Sequence, residues 1–197
     1  MNSRPSSPPI LPTRLFKTRR DWASWLGANH GKSPGVWLQL AKKVAGVQSV
    51  SYDEAIEVAL CFGWIDGQKQ AHDEQYWLQK FTPRSGKSAW SKINKAKALA
   101  LIEAGKMEPA GLLEVERARK DGRWGAAYDS ASTATVPDDF QAALDGNPRA
   151  REFFDSLDGR NRYAVLYRIQ TVKMAATRER KIAQFVEMLA RHEKVHP

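Results

Sequence analysis

Apolar positions recur along this chain with two periods, and the places where the period changes mark its elements. Trp22, Trp25 and Leu26 fall at helical spacing and predict a short amphipathic helix that Gly27 or Gly31 stops. Residues 35–43, GVWLQLAKK, switch to a period of two, with Val36, Leu38 and Leu40 set against Trp37, Gln39 and Ala41, the signature of a strand. Ser51 and Glu54 have capping-box spacing, and Ile56, Ala59 and Leu60 then share one helical face up to Gly63. Residues 64–71 and 75–81 read as an antiparallel pair of strands joined through His72, Asp73 and Glu74, with Pro83 ending the second. A helix is expected from near Ser91 to Gly105. Another begins at Pro109, carries Leu112, Leu113, Val115 and Ala118, and closes at Gly122.

Outside this middle the pattern changes. Residues 1–12 hold four prolines and three serines with neither period, which predicts a flexible arm over 1–13. Residues 130–135 are small and polar or alanine, and no tryptophan follows them, so a linker is placed at 130–136. Residues 137–197 read as helix, broken at 146–148 and 158–159, and their last segment repeats Ile182, Phe185, Val186 and Leu189 at i, i+3, i+4 and i+7. Three helices of this length are marginal alone, so they are expected to pack on what precedes them. The expected fold is α+β: a small, mainly antiparallel sheet with flanking helices over 14–129, followed by an all-helical C-terminal segment over 137–197 packed on it.

Composition narrows the class. A chain of 197 residues, 42% hydrophobic and 27% charged, matches an ordinary globular protein with one substantial core. Its formal charge of +9 attracts polyanions: nucleic acid, anionic surfaces or acidic proteins. The single cysteine, Cys61, sits in an apolar run and excludes an intrachain disulfide. With no signal-like segment and no run long enough to span a membrane, the expected location is the cytoplasm.

The densest chemistry lies between Phe62 and Asn94. No acidic residue occurs between Gln75 and Ile102, while Lys80, Arg84, Lys87, Lys92, Lys95 and Lys97 alternate with Tyr76, Trp77, Phe81 and Trp90. Trp64, Asp66 and Gly67 are candidates for a pocket whose carboxylate orients a ligand or the Arg84 guanidinium; Asp-Gly is equally turn chemistry, and Trp64 equally core. Ser88, Trp90, Ser91 and Asn94 have the residue types of a helix N-terminal anion site, reinforced by Arg84 and Lys92, although capping explains the serines as well. Trp77, Lys80, Lys87, Lys92 and Lys95 are candidate contacts for an anion or single-stranded nucleic acid. Against that, strand alternation sends neighbours to opposite faces. The four histidines are scattered, His72, Asp73 and Glu74 point in different directions for a metal, and no phosphate loop, dinucleotide fingerprint or serine elbow is present. The balance favours a non-catalytic protein with no cofactor and no metal.

Several of these strings occur together in a known family. FGWIDG at 62–67, TPR at 82–84 followed by Ser88, Trp90, Ser91 and Asn94, AGKMEPAG at 104–111 and DGRW at 121–124 resemble the YdeI/OmpD-associated, or bacteriocin-protection, family. The C-terminal half is similar to that family's helical domain, whose lysine, Thr-Arg and basic pair before isoleucine correspond to Lys173, Thr177, Arg178, Arg180, Lys181 and Ile182. The resemblance spans roughly residues 14–192. Lys181 stands where arginine is commoner, and Ala175 and Ala176 replace a commoner Pro-Glu pair, a change expected to affect a helix start rather than a site. The resemblance implies tolerance of bacteriocins or antimicrobial peptides and association with a porin. A protein at +9 repels cationic peptides, so direct sequestration requires an acidic patch that overrides the global field. The resulting expectation is a cytoplasmic binding or adaptor protein linked to antimicrobial-peptide or envelope-stress tolerance, taking an anionic small molecule or an acidic protein partner. The alternatives are nucleic-acid binding and an enzyme.

Overall fold

The computed structural model describes residues 10–197, so most of the arm expected at 1–13 lies outside the described residues. The fold is α+β, with one four-stranded, mainly antiparallel sheet and eight helices among the described residues. The chain forms two compact units. One holds the residues up to Lys87 together with Lys97–Glu116; the other holds Ser88–Ala96 and Arg117–Pro197.

The first unit carries β1 (Thr13–Leu15), α1 (Arg19–Asn29), β2 (Val36–Ala41), α2 (Tyr52–Cys61), β3 (Trp64–Ala71) and β4 (Tyr76–Pro83). The strands lie in the order β1-β2-β4-β3, with β1 parallel to β2 and the other pairs antiparallel. Strand β1 escapes sequence reading because Thr-Arg-Leu has no alternation and all three residues are exposed; only its pairing with β2 identifies it. Val36, Leu38 and Leu40 face the core, as their period predicts. Thr18 and Asp21 form a capping box at the start of α1, and Ser51 and Glu54 form the expected one on α2. Helix α1 runs through Gly27 rather than stopping there. A mid-helix glycine costs about 1 kcal/mol, and full burial of Trp22 and Leu26 outweighs it.

Helices α3 (Lys92–Glu103) and α4 (Pro109–Lys120) contribute residues to both units. Gly105 and Gly122 follow them with positive φ, +64° and +82°, where glycine is unstrained.

The second unit carries α5 (Asp138–Asp145), α6 (Pro148–Asp155), α7 (Gly159–Gln170) and α8 (Ala175–Ala190) around Phe140, Phe154, Val165, Ile169, Ile182, Phe185 and Leu189. The breaks expected at 146–148 and 158–159 are present, capped by Asn147 and Asp158. A further break separates α7 from α8, making four helices rather than three. It carries no glycine or proline to announce it. Instead the Arg178 guanidinium donates to the Ile169 carbonyl at 2.8 Å, satisfying the end of α7 from the next helix. Helix α8 begins at Ala175 without a side-chain cap.

Candidate functional site

Within the first unit, the FGWIDG and AGKMEPAG strings meet at a backbone seam. Gly63 has φ +72°, and a Cβ there would lie 2.8 Å from the Ala110 carbonyl oxygen and 3.1 Å from Glu114 Cγ. A Cβ on Gly111 would sit on the Cys61 carbonyl oxygen and 2.7 Å from that of Leu60. Trp64 is 1% exposed, its indole N–H donating to His30 O at 3.1 Å and its ring set against Trp22 and Trp25. Asp66 accepts the Tyr52 hydroxyl proton at 2.8 Å. Arg84 is 7% exposed, and its backbone N–H donates to Gly63 O at 2.9 Å. The buried Gln79 donates to Gly67 O and Gln68 O, supplying the carbonyls left at the β3 bulge. Sequence reading gave Gln79 no role, because a polar residue in an alternating strand reads as solvent-facing.

Trp77 and Lys80 separate. Val36 pairs with Phe81 and Leu40 with Trp77, whereas Trp37 pairs with Lys80, so Trp77 and Lys80 lie on opposite faces of β4. Lys69 Nζ sits 4.4 Å from the Trp77 ring and Lys80 Nζ 5.9 Å from that of Trp37. Trp77 also walls a cleft of about 440 Å³ with Lys42, Lys43, Tyr52 and Asp53. Lys87 is exposed. Asp73 accepts the amide protons of Gln75 and Tyr76, which commits its carboxylate to the hairpin turn.

In the second unit, Ser88 and Trp90 meet DGRW. The buried Arg123 donates Nε to both Asp121 oxygens, at 2.9 and 2.8 Å, and Nη1 to Ser88 O at 2.9 Å. Trp90, 1% exposed, packs edge-on against Trp124 with centroids 4.8 Å apart. Ser91 Oγ accepts the Asn94 amide proton at 3.1 Å, a capping contact. Lys92 pairs with Asp129 at 2.9 Å, and Lys95 Nζ donates to Trp124 O at 3.1 Å. Lys173 donates to Asp121 O at 3.0 Å. Burial would raise the Asp121 pKa, but the Arg123 hydrogen bonds outweigh it and hold the carboxyl below its usual range.

A pocket of about 360 Å³ opens on α7, lined by Arg160, Tyr163, Ala164, Tyr167 and Arg168, with Gly159, Ala131 and His196 beside them. Its helical residues follow i, i+3, i+4, i+7 and i+8, so one face presents two tyrosines between Arg160 and Arg168, whose backbone positions lie about 12 Å apart along the axis; Arg168 Nη1 donates to Ala164 O at 2.9 Å. Among the described residues no carboxylate side chain lines the pocket. Tyr163 donates its hydroxyl to Asp129 O at 2.9 Å, which fixes the ring. Burial, and then Tyr167 and Asp129, push its pKa up and keep it neutral. Asp158, just before the helix, is spent capping Asn161, and the buried Asn161 accepts the His196 amide proton at 2.9 Å, which holds the chain end beside the pocket. The Arg-Tyr-Ala-Tyr-Arg stripe stands at helical spacing in the sequence, but sequence reading gave it no role, because spacing alone does not announce a cavity.

Comparison with protein families assigns the two parts of the chain separately. Residues 14–114 match a domain of unknown function (DUF8412). Residues 133–192, including α7 and α8, match the family described as Bacteriocin-protection, YdeI or OmpD-Associated. No curated protein and no solved structure matches the chain. The chain belongs to the DUF8412 family, and its residues 133–192 are similar to the YdeI/OmpD-associated family.

Proposed function

We propose that this protein is a non-catalytic binding or adaptor protein whose second unit takes an anionic ligand in the α7 pocket. The observation that carries the proposal is a ligand-sized cavity free of carboxylates, with Arg160, Arg168 and His196 around two tyrosine faces. Guanidinium groups pair carboxylate or phosphate through two parallel hydrogen bonds, and the tyrosine rings accept a flat apolar body. The fitting ligand is therefore a planar molecule bearing an anionic group, or an acidic side-chain cluster of a protein partner. Asp53 in the Trp77 cleft makes that cleft less suited to an anion.

The family description of residues 133–192 supports a link to antimicrobial-peptide or envelope-stress tolerance, reached through this binding role. A cytoplasmic location belongs to the same proposal and accords with a single cysteine, Cys61, which has no partner for an intrachain disulfide. The test is calorimetric titration with aromatic carboxylates, nucleoside monophosphates and an acidic peptide. Arg160→Ala and Arg168→Ala alter exposed helix positions and should each weaken binding about tenfold, the loss of one charge-assisted contact. No binding to any of these, or binding indifferent to both variants, would sink the proposal. Nucleic acid is the second reading, favoured by Lys69 over Trp77. It requires oligonucleotide binding that falls steeply with salt and depends on Trp77 rather than Arg168.

A further inference from the structure

The second unit has another concavity, of opposite character. Between α5 and α8 lies a groove of about 420 Å³ whose apolar lining is Ala143, Ile182, Ala183 and Val186 and whose polar lining is Asp139, Glu179 and Glu187. Among the described residues no basic one lines it, although the protein as a whole carries +9. The three carboxylates are not equivalent. Asp139 is bound through both oxygens by Arg178, so its charge is compensated. Glu179 and Glu187 are exposed and form no ion pair with any described residue. Arg191, four residues beyond Glu187, is held by Glu193 at 2.9 Å, and Arg178, beside Glu179, is held by Asp139.

On α8 these residues run 179, 182, 183, 186 and 187, at i, i+3, i+4, i+7 and i+8. One helix face thus has an apolar centre with a free carboxylate at each end, about 12 Å apart. Water cannot satisfy the apolar centre, and an anionic or purely apolar partner would leave the two carboxylates repelling it or desolvated. The chemistry that satisfies both features is an apolar helical face with cations spaced two turns apart.

We propose that the α5–α8 groove is a docking site for a cationic amphipathic helix, with Ile182, Ala183 and Val186 receiving its apolar face and Glu179 and Glu187 pairing its lysines or arginines. This site is separate from the α7 pocket, takes a ligand of opposite sign, and stands or falls independently of it.

The test uses the full chain and a fluorescein-labelled leucine–lysine helical peptide of about five turns, read by anisotropy, with a leucine–glutamate peptide of equal length beside it. The expected result is saturable binding of the lysine peptide alone, weakened at least tenfold by the double variant Glu179→Gln/Glu187→Gln. Ala183→Arg, at an exposed position on the groove, should abolish it. Glu152→Gln, an exposed acid on α6, should leave it unchanged. Circular dichroism establishes that each variant is folded. Equal binding of the glutamate peptide, or lysine-peptide binding indifferent to Glu179, Glu187 and Ala183, would overturn the proposal. So would a concentration-dependent dimer that Ala183→Arg dissociates, because a second copy would then own the groove.

Discussion

Gly111 offers a direct test of whether the motif strings are packing devices. In an exposed helix, glycine to alanine stabilises by about 1 kcal/mol, because alanine loses less backbone entropy on folding. At Gly111 the new methyl would collide with two backbone carbonyls, Cys61 O and Leu60 O, the second at 2.7 Å. Neither can rotate away, as a side chain would. Relieving the contact means moving α4 off the end of α2, and Glu108 N–H, which donates to the same Cys61 oxygen at 3.1 Å, moves with it. Overpacking costs about 1–3 kcal/mol, and a stretched hydrogen bond adds about 0.5–1.5 kcal/mol. Because the obstacle is backbone the upper ends apply, and after the helix gain the net loss is about 3.5 kcal/mol. For a chain of this size that lowers Tm by about 7–14 °C. Gly27→Ala is the internal control. Gly27 lies within α1 with nothing within 4 Å of its Cβ position, so the same substitution should raise stability. Urea unfolding followed by tryptophan fluorescence, with scanning calorimetry beside it, reads both. The reasoning is refuted if the two variants shift stability in the same direction.

Two further outcomes follow from the charged residues. Arg84→Ala removes a buried side chain and opens the space it fills, so it should cost about 2 kcal/mol or more in urea titration; an unchanged midpoint with lost anion binding would instead make Arg84 a ligand residue. Asp139 is held below the usual carboxylate range, first by its hydrogen bond to Arg178. A depressed folded-state pKa means its stabilisation is present above about 3.9, the unfolded value, and is lost as pH falls through the folded one. The pair is half exposed, and screening limits Asp139→Asn to about 0.5–1 kcal/mol at pH 7. Wild type and variant should therefore converge in acid, and a gap in urea midpoint that stays constant down to pH 3 would contradict this account.

The sheet and most helices were legible because each rests on a local signal. Val36, Leu38 and Leu40 alternate, Ser51 and Glu54 cap, and Gly105 and Gly122 stop their helices through a backbone conformation that glycine reaches without strain. What was not legible depends on partners distant in sequence. Strand β1 exists through its pairing with β2, and the end of α7 is fixed by a guanidinium nine residues ahead. The candidate residues show the same limit. Trp64, Arg84 and Trp90 carry chemistry in their side chains, but burial is set by the fold, and all three are enclosed. The residues that line the α7 pocket were passed over because an exposed Arg-Tyr stripe has the same period whether or not a cavity forms beside it.

Net charge was the least informative quantity, and the second unit shows why. A sum over the chain assigns every surface the same sign, yet α7 presents Arg160 and Arg168 in a carboxylate-free pocket while α8 presents Glu179 and Glu187 over an apolar floor. Beyond about 8–10 Å, salt at physiological strength screens the global field, and a docked ligand answers to the groups that line its site. The +9 total therefore governs approach and the short helical faces govern recognition. A cationic helix meets long-range repulsion that salt weakens, then contact attraction that apolar burial reinforces. An anion at α7 meets attraction at both ranges. The two ligands should accordingly differ in the sign of the salt effect on their association rates, with added salt slowing the anion and speeding the cationic helix. Such a difference cannot arise if one uniform basic surface binds everything this protein binds.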